Sequence, residues 1–412
     1  MTSQLRVICG DALEKLNELP AESVQCCVTS PPYWGLRDYG VNGQIGLEKT
    51  PDEYMAKMVA VFREVKRVLR KDGTLWLNLG DSYWTDSPVR LAASEAFSET
   101  WDKSQTASRG GLRKSAAKCG VYKNKDLVGI PWMVAFALRA DGWYLRSDVI
   151  WAKANCMPES VRDRPTRSHE YIFLLTKQPK YFYDAEAIKE PASEADWENR
   201  AGRGRLNADG TMFKDASLYS GKNNGKIKRS PNYKDKQRGH SRRHDGFNDR
   251  WGHMEKSEQW AGMRNKRDVW TVAPTSYPEA HFATFPEELP KICILAGTSA
   301  KGCCAKCGSP WERVADSELD RYGTGSAGVH RNIGGQYQKW LNANPPQTIR
   351  WSESCACTAE TIPCTVIDPF AGSGTTGAVA IEIGRSAILI ELNPKYIPLI
   401  KQRCTITVGL PI

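Results

Sequence analysis

A strand, a glycine-rich turn and a helix follow one another near the end of the chain, and this arrangement constrains the fold more than any other feature. The strand ends at Asp368, the turn contains Gly372 and Gly374, and Glu391 closes the following strand. Such glycines let the backbone approach a ligand closely, and the carboxylate can accept hydrogen bonds from both hydroxyls of a ribose. Because only residues 392–412 follow Glu391, the rest of a nucleotide-binding sheet has to come from earlier in the chain.

Short apolar runs that alternate with helical patterns supply the rest of such a sheet. Strands separated by helices form a mostly parallel sheet with helices on both faces, so the sequence predicts an α/β fold. The predicted strands are 5–9, 24–29, 73–79, 145–152, 170–177, 366–368 and 386–391. The predicted helices are 12–19, 52–70, 127–140, 286–296, 375–383 and 394–403.

Three long segments interrupt this alternation, at residues 84–125, 185–275 and 301–362. Loops of that length inside a compact domain are uncommon unless they are functional or disordered. The chain has 57 Lys and Arg against 47 Asp and Glu, a net charge of +10, and residues 201–250 alone hold 13 basic and 5 acidic side chains. Such a basic surplus fits a polyanionic partner, although a solvated charged loop has the same composition.

The segment from Thr29 to Trp34 is a second chemical motif and begins at the end of the predicted strand 24–29. It contains two consecutive prolines, which end sheet pairing and hold the backbone rigid. The Ser30 side chain and the Pro31 carbonyl are acceptors that can each take one N–H of an exocyclic base amine and favour its nucleophilic form. Tyr33, together with Trp34, offers a face on which a base rotated out of a duplex can stack. An ordinary proline-rich turn is the alternative, and the glycine turn in the same chain argues against it.

With these two motifs the chain resembles the beta group of DNA amino-methyltransferases, in which a Pro-Pro motif precedes the cofactor-binding glycine turn. The Asp-Pro-Phe opening of the glycine turn is similar to the S-adenosylmethionine motif of that family. The resemblance implies a permuted Rossmann-like methyltransferase sheet built from residues 1–83, 126–184 and 282–412. It implies the catalytic residues Ser30, Pro31, Pro32 and Tyr33. The cofactor residues that it implies are Asp11, Ala12, Thr29, Phe285, Asp368, Phe370, Gly372, Gly374, Thr375, Thr376 and Glu391, and Asp11 also fits a helix N-cap.

The resemblance also implies a reaction. N4-cytosine enzymes of the family mostly carry Ser before Pro-Pro and N6-adenine enzymes mostly Asp or Asn, so Ser30 favours methyl transfer to cytosine N4 in duplex DNA by base flipping. An N6-adenine enzyme with the same site is the closest alternative. A nucleic-acid-binding protein that no longer catalyses on this fold is a second alternative, and an RNA or protein methyltransferase is a third.

Under this interpretation two insertions contact double-stranded DNA. Segment 185–275 interleaves basic and aromatic side chains, which suit phosphate and base contacts, so we predict that it recognises the target sequence. Segment 84–125 is predicted to be a second loop that faces the DNA. The enzyme either partners a cognate restriction endonuclease in a restriction–modification system or acts alone, and the recognised sequence and the oligomeric state also stay open.

The insertion 301–362 holds most of the clustered cysteines among the 13 of the chain. Cys304 and Cys307 form a Cys-x2-Cys-Gly turn, and Cys355 and Cys357 lie downstream. Because such clusters in a reducing compartment favour metal binding over disulfides, we predict a small zinc-binding insertion with these four ligands. Cys303 can replace Cys304 in this assignment, and free thiols are the alternative. The zinc is predicted to be structural, because methyl transfer from a sulfonium needs no Lewis acid.

Membrane association is not expected from the sequence. No stretch approaches the ~20 apolar residues of a membrane span. The first residues lack the charged and apolar blocks of a signal peptide. We therefore expect a cytoplasmic protein.

Overall fold

The computed structural model describes residues 2–85, 121–156, 158–191, 263–274, 286–315 and 348–408. The chain divides into two compact units, of which the first comprises residues 1–188, 267–313 and 351–412 and the second residues 189–266 and 314–350. Most of the predicted DNA-facing loop 84–125 and of the predicted target-recognition insertion 185–275 lies outside the described residues. Their roles in DNA binding therefore stay predictions.

One eight-stranded sheet forms the centre of the first unit, and its order is β1-β14-β13-β2-β3-β5-β4-β8. Three two-stranded sheets pair β9 with β12, β10 with β11, and β6 with β7. The strands are β1 (Leu5–Cys9), β2 (Val24–Thr29), β3 (Leu69–Leu79), β4 (Tyr144–Lys153), β5 (His169–Thr176), β6 (Glu190–Pro191), β7 (Met263–Arg264), β8 (Val269–Val272), β9 (Cys303–Cys304), β10 (Trp311–Ala315), β11 (Thr348–Glu353), β12 (Thr361–Ile362), β13 (Thr365–Asp368) and β14 (Ser386–Glu391).

Neighbouring strands of the large sheet run parallel, except that β5 is antiparallel to both β3 and β4. The C-terminal strands β13 and β14 lie between β1 and β2, so the two ends of the chain interleave within one sheet. The predicted α/β fold and its permuted order are confirmed.

The sheet also reaches into the segment predicted to be an insertion. β8 lies inside 185–275, pairs with β4, and buries Trp270 and Val272 in the core. At the other end of that segment, the 3-10 turn Glu186–Ile188 buries Ile188 in the same cluster of apolar side chains. Both ends of the predicted insertion therefore belong to the first unit, and β8 is a strand that the sequence patterns missed.

The helices are α1 (Ala12–Asn17), α2 (Pro51–Val68), α3 (Ile130–Ala140), α4 (Glu288–Gly297), α5 (Thr375–Glu382) and α6 (Tyr396–Val408). α2 begins where the Thr50 side chain accepts a hydrogen bond from Glu53 N and Pro51 takes the first helical position. It ends earlier than predicted because Leu69 adopts an extended backbone and starts β3. Within the described ranges, none of the helices is both long enough and apolar enough to cross a bilayer.

Alternating side chains of β2 contact helices on opposite faces of the sheet. Cys27 packs in a cluster with Phe62 of α2 and with residues of α1 and α3. Cys26 and Val28 pack in a second cluster with Ile292 of α4 and with residues of α5. This period of two places α1 to α3 on one face and α4 and α5 on the other, so both faces are covered, as the sequence predicted.

The register of the parallel strands aligns the predicted site residues at one edge of the sheet. Cys9 pairs with Glu391, and the neighbouring β13 ends at Asp368. Thr29, the last residue of β2, pairs with Leu77 of β3. Because the carboxyl ends of parallel strands meet at the same edge, the residues that follow these strands can line one crevice.

Candidate active site

The glycine turn after β13 has the backbone that its sequence predicted. Gly372 and Gly374 have φ values of 54° and 81°, in the left-handed region that favours glycine. A Cβ on Gly374 would lie 3.0 Å from Ile400 Cγ2, so α6 also approaches this position closely. The turn leads directly into α5, whose first residues are Thr375 and Thr376. The helix N-terminus therefore faces the carboxyl edge of the sheet.

Asp368 joins the two predicted motifs through its side chain. It is 1% exposed, and its Oδ1 accepts hydrogen bonds from Thr29 Oγ1 at 2.6 Å and from Phe370 N at 3.0 Å. Its Oδ2 accepts from Thr376 Oγ1 at 2.8 Å. Burial raises the pKa of this carboxyl, and the three donors oppose that shift. Asp368 thus holds the Pro-Pro motif, the glycine turn and α5 together.

Glu391 lies across the same turn and makes different contacts. Its carboxylate accepts from Gly372 N and from Asn393 N, both at 2.8 Å, and its backbone carbonyl accepts from Gly10 N at 2.9 Å. Burial raises the pKa of Glu391 to about 7, although the backbone donors lower it in part. Near neutral pH both the protonated and the ionised form of this carboxyl are therefore populated.

Two tyrosines that the sequence patterns missed lie near Glu391. Burial, with a smaller contribution from the Glu391 charge, raises the pKa of Tyr396 to about 12. The pKa of Tyr39 is also raised, first by burial, and the Glu391 charge contributes to that shift. Neither residue belongs to a recognisable motif, and only the folded structure brings them near the carboxylate.

The remaining predicted cofactor residues have three different outcomes. Asp11 is the N-cap of α1 and accepts hydrogen bonds from Leu13 N and Glu14 N, so its expected structural role is confirmed. Ala12 is buried in the first turn of that helix, beside the Gly10–Glu391 contact. Phe285 lies outside the described residues.

Arg403 of α6 supports the glycine turn from behind and was not predicted. Its guanidinium is buried and donates to Ser373 Oγ at 2.8 Å and to Thr375 Oγ1 at 2.9 Å. It also pairs with Glu287 at 2.7 Å. Arg403 thereby fixes the hydroxyls of Ser373 and Thr375, so α6 supports the glycine turn.

The Pro-Pro turn is held rigidly at the end of β2. Pro31 is buried, and the Pro32 carbonyl accepts a hydrogen bond from Tyr54 Oη of α2 at 2.9 Å. A Cβ on Gly80 would lie 2.6 Å from Tyr33 Cε2, so one side of the tyrosine ring rests against the backbone at Gly80. Tyr33 is half-buried, and its ring position is fixed by this contact.

Trp34 is not placed for base stacking, in contrast to the sequence interpretation. It is buried, its ring stacks on Trp84 at 6.1 Å between centroids, and its Nε1 donates to Glu48 O. Trp84 in turn stacks on Tyr122 at 5.1 Å. The indole of Trp34 therefore belongs to the core, and Tyr33 is left as the candidate stacking residue.

Three polar residues outside the motifs meet behind Ser30. Tyr33 Oη donates to Glu170 Oε2 of β5 at 2.7 Å, and Asn78 Nδ2 of β3 donates to Tyr33 Oη at 2.8 Å. Asn78 Nδ2 also lies 3.3 Å from Ser30 Oγ. Lys153 of β4 forms an ion pair with Glu170 Oε1. Burial, and then the Glu170 charge, raise the pKa of Tyr33 well above its usual value, so its hydroxyl stays a neutral donor.

The four cysteines predicted to bind zinc form one cluster in the first unit. The Sγ atoms of Cys304, Cys307, Cys355 and Cys357 all lie within 4.8 Å of one another. Cys303 is directed elsewhere, with its Sγ towards the Pro363 carbonyl at 3.8 Å. The Ser309 hydroxyl lowers the pKa of Cys307 to about 6, so one thiolate forms near neutral pH. The structure therefore brings Cys304, rather than Cys303, to the cluster.

Comparison with known proteins gives matches along nearly the whole chain. A family model described as DNA methylase matches residues 24–305 and 364–402. Type II methyltransferase M.SmaI of Serratia marcescens is 34% identical over 399 residues, which cover 97% of this chain and 90% of that relative. M.Cfr9I of Citrobacter freundii is 36% identical over 394 residues, which cover 96% of this chain and 85% of that relative. A solved structure described as PvuII DNA methyltransferase (cytosine-N4-specific) aligns with a TM-score of 0.50 and 14% identity, covering 98% of this chain and 87% of that chain, which shows a shared fold.

Proposed function

The chain belongs to the DNA methylase family, in the beta group of DNA amino-methyltransferases, and from this premise we propose that it methylates cytosine N4 in duplex DNA with S-adenosylmethionine. The observation that carries the proposal is the 2.6 Å hydrogen bond between Thr29 and Asp368. It joins the motif suited to an exocyclic amine to the glycine turn suited to a nucleoside. The amine that accepts the methyl group and the cofactor that donates it would then lie side by side, as methyl transfer requires.

The cofactor residues have separate tasks in this proposal. The carboxylate of Glu391 would accept hydrogen bonds from the ribose hydroxyls, while Gly372 would give the nucleoside access to the backbone and Gly374 makes room for α6. Asp368 already accepts hydrogen bonds from Thr29, Phe370 and Thr376, so it would shape the turn rather than contact the ribose.

The Pro-Pro turn would position the acceptor base after it has rotated out of the duplex. Ser30 Oγ and the Pro31 carbonyl each accept one amine hydrogen and turn the lone pair towards the methyl group, while Tyr33 stacks on the base. S-adenosylmethionine supplies an electrophilic methyl group. Ser30 and Pro31 would hold the amine nitrogen towards this methyl group, and the amine would lose one of its two protons on transfer.

Cytosine is preferred to adenine on two grounds. Ser30 precedes the prolines, as it does in most N4-cytosine enzymes of the family, and the PvuII enzyme with the similar fold is described as cytosine-N4-specific. An N6-adenine product at the same site is the second candidate. Since the relatives are named Type II methyltransferases, we also propose that this enzyme protects a specific site from a cognate restriction endonuclease and that segment 185–275 recognises the site.

A methylation-free bacterial host tests the proposal directly. DNA recovered after expression should carry N4-methylcytosine at one recurring sequence, and sequencing that separates N4-methylcytosine from N6-methyladenine gives both base and site. Adenine modification alone would overturn the cytosine assignment. Unmodified DNA from a protein that binds S-adenosylhomocysteine would overturn DNA as the substrate.

We propose further that the four-cysteine cluster holds one structural zinc ion. Tetrahedral zinc with ligands at ~2.3 Å requires four sulfur atoms within about 4 Å of one another, which the cluster approaches. Its sulfur atoms all lie within 4.8 Å. Elemental analysis should find one zinc per chain, and Cys304→Ser should lose it. Cys303→Ser, the adjacent change, should retain it, and equal loss in both variants would contradict the assignment.

A further inference from the structure

Glu170 of β5 bonds to the Pro-Pro turn through Tyr33, and no motif includes it. Its side chain is 14% exposed and receives hydrogen bonds on both oxygens: Lys153 Nζ binds Oε1, and Tyr33 Oη binds Oε2 at 2.7 Å. Asn78 Nδ2 contacts the same Oε2 at 3.1 Å. Residues from three strands and one turn thus converge on a point directly behind Ser30.

The directions of these hydrogen bonds follow from the chemistry of the carboxylate. An ionised carboxylate can only accept, so the single hydroxyl proton of Tyr33 is committed to Glu170. The Tyr33 oxygen is then left to accept, and Asn78 Nδ2 already donates to it at 2.8 Å. The contact of 3.3 Å between Ser30 Oγ and Tyr33 Oη can therefore form only with Ser30 as the donor.

These hydrogen bonds determine whether the hydroxyl of Ser30 directs its proton or its lone pairs towards the substrate. With its proton directed to Tyr33, Ser30 presents lone pairs, and Asn78 Nδ2 at 3.3 Å occupies one side of the oxygen. The remaining lone pair is free to accept an amine hydrogen. If Tyr33 were instead to donate to Ser30, the serine proton would compete with the amine for the same space.

We propose that Glu170 is a positioning residue that fixes Ser30 as a hydrogen-bond acceptor through Tyr33 and Asn78. The inference rests on the proposed function, because it concerns the amine bound by Ser30. Lys153 balances the charge of Glu170, so the carboxylate acts through the direction of the hydrogen bonds rather than through net charge. Glu170 does not touch the base in this arrangement.

Single-turnover kinetics on a DNA duplex that carries the recognised site test the proposal. Glu170→Gln offers an amide that can donate to Tyr33 and so reverse the direction of the hydrogen bonds between residue 170, Tyr33 and Ser30. The methyl-transfer rate should then fall about 10- to 100-fold, as for other lost orienting groups. The affinities for DNA and for S-adenosylhomocysteine should stay within about twofold, because neither ligand contacts residue 170. Glu382→Gln, another lysine-paired glutamate at the far end of α5, should behave as the wild type.

A double-mutant cycle separates positioning from a merely structural role. Tyr33→Phe keeps the ring and leaves the Lys153–Glu170 pair untouched, but it removes the hydroxyl that carries the effect. If Glu170 acts through this hydroxyl, adding Glu170→Gln to Tyr33→Phe should change the rate less than about twofold. Rate losses that multiply, or a wild-type rate in Glu170→Gln, would overturn the inference. A wild-type protein that methylates no DNA would overturn the proposed function first.

Discussion

Two buried carboxylates, Asp368 and Glu391, border the same glycine turn, and their hydrogen bonds give them different tasks. Asp368 receives three hydrogen bonds from its own protein, two of them from threonine side chains. Glu391 receives backbone donors from Gly372 and Asn393, and burial raises its pKa to about 7. The first carboxylate is committed to the fold, whereas the second can still gain or lose a proton near neutral pH.

Cofactor affinity should therefore depend on pH through Glu391. Ribose hydroxyls donate to the ionised carboxylate, and the free carboxyl holds its proton below about 7. Affinity for S-adenosylhomocysteine is then greatest above pH 7 and falls by up to about tenfold per unit as the pH drops through 7. Calorimetry from pH 5.5 to 8.5 in buffers of different ionisation enthalpy measures both the affinity and the proton released on binding.

The matched variants for this titration are Glu391→Gln and Glu18→Gln. The amide cannot ionise, so Glu391→Gln should flatten the pH dependence and weaken binding at pH 8 by at least about tenfold. Glu18, which pairs with Lys15 on the surface, should leave the profile unchanged. A pH dependence retained in Glu391→Gln would assign the proton to another group.

Ser30→Ala should stop methylation while sparing the cofactor. The change removes an amine acceptor, and a loss of about 100- to 1,000-fold in rate is expected from the removal of one orienting hydrogen bond at a reacting centre. Cofactor affinity should stay within about twofold, because Thr29 rather than Ser30 bonds to Asp368. Ser23→Ala, whose hydroxyl bonds the Pro20 carbonyl at the surface, is the control. Loss of cofactor binding in Ser30→Ala would mean that the serine belongs to the cofactor pocket.

Helix α6 shows how a whole element supports the site without contributing to either motif. Its Arg403 reaches Ser373 and Thr375 on either side of Gly374, and Ile400 packs against that glycine. The helix thus fixes both the hydroxyls and the backbone of the turn. Its sequence carries no signal of this role, since a buried arginine near a chain end matches no cofactor motif.

Arg403→Met tests this support. Methionine fills much of the space but removes the charged donor to two buried hydroxyls, which keep a 3.3 Å contact with each other, and the loss of hydrogen bonds to a charged group costs about 1.5–3 kcal/mol. We expect weaker binding of S-adenosylhomocysteine, by about tenfold, together with a lower melting temperature in calorimetry. Lys401→Met, at an exposed position on the same helix, should change neither. Unchanged affinity in Arg403→Met would show that the turn holds its shape without α6.

The elements that the sequence predicted well are those with a strong local signal. The short apolar run of β2 and the glycine turn before α5 appear at the predicted positions. Glu170 and Asn78 were missed because they reach Ser30 through strand pairing, and the antiparallel insertion of β5 between β3 and β4 leaves no local trace. A polar residue inside an apolar strand, as at Asn78, is the one signal that pointed there, because such a group needs a buried partner.

At the scale of the whole molecule, the permuted order follows from which strands end at the common edge. β13 and β14 come last in the sequence, yet they lie between β1 and β2, and Thr29 is bonded to Asp368 across that junction. The order of the two motifs, with the Pro-Pro motif before the glycine turn, pointed to this permutation. The ends of the insertions were harder to locate, because β8 has only four residues, Val269–Val272, and lies next to a long basic segment.

A second connection across the sheet involves the cysteine cluster. Arg70 of β3 donates to the Cys307 carbonyl, and Gln25 Nε2 of β2 donates to the Gly308 carbonyl at 3.2 Å. Gln25 Oε1 also accepts from Thr365 N of β13 at 2.7 Å. The loop that carries Cys307 is thereby attached to β2 and β3, and Gln25 links this contact to β13. A metal ion that held this loop would also restrain the sheet.

Removal of zinc should therefore lower the stability of the protein without changing the chemistry of methyl transfer. The ion would bring Cys304 and Cys307 to Cys355 and Cys357 across a long intervening segment, so its binding energy adds to the folding energy. We expect chelation, or Cys355→Ser, to lower the melting temperature by about 5 °C or more. Cys9→Ser, at an exposed site on β1, should have no effect.

Below the transition, the metal-free protein should transfer methyl groups at a rate within about threefold of the wild type, because no reacting atom contacts the cluster. A complete loss of activity in a protein that remains folded would instead give the metal a role in the reaction.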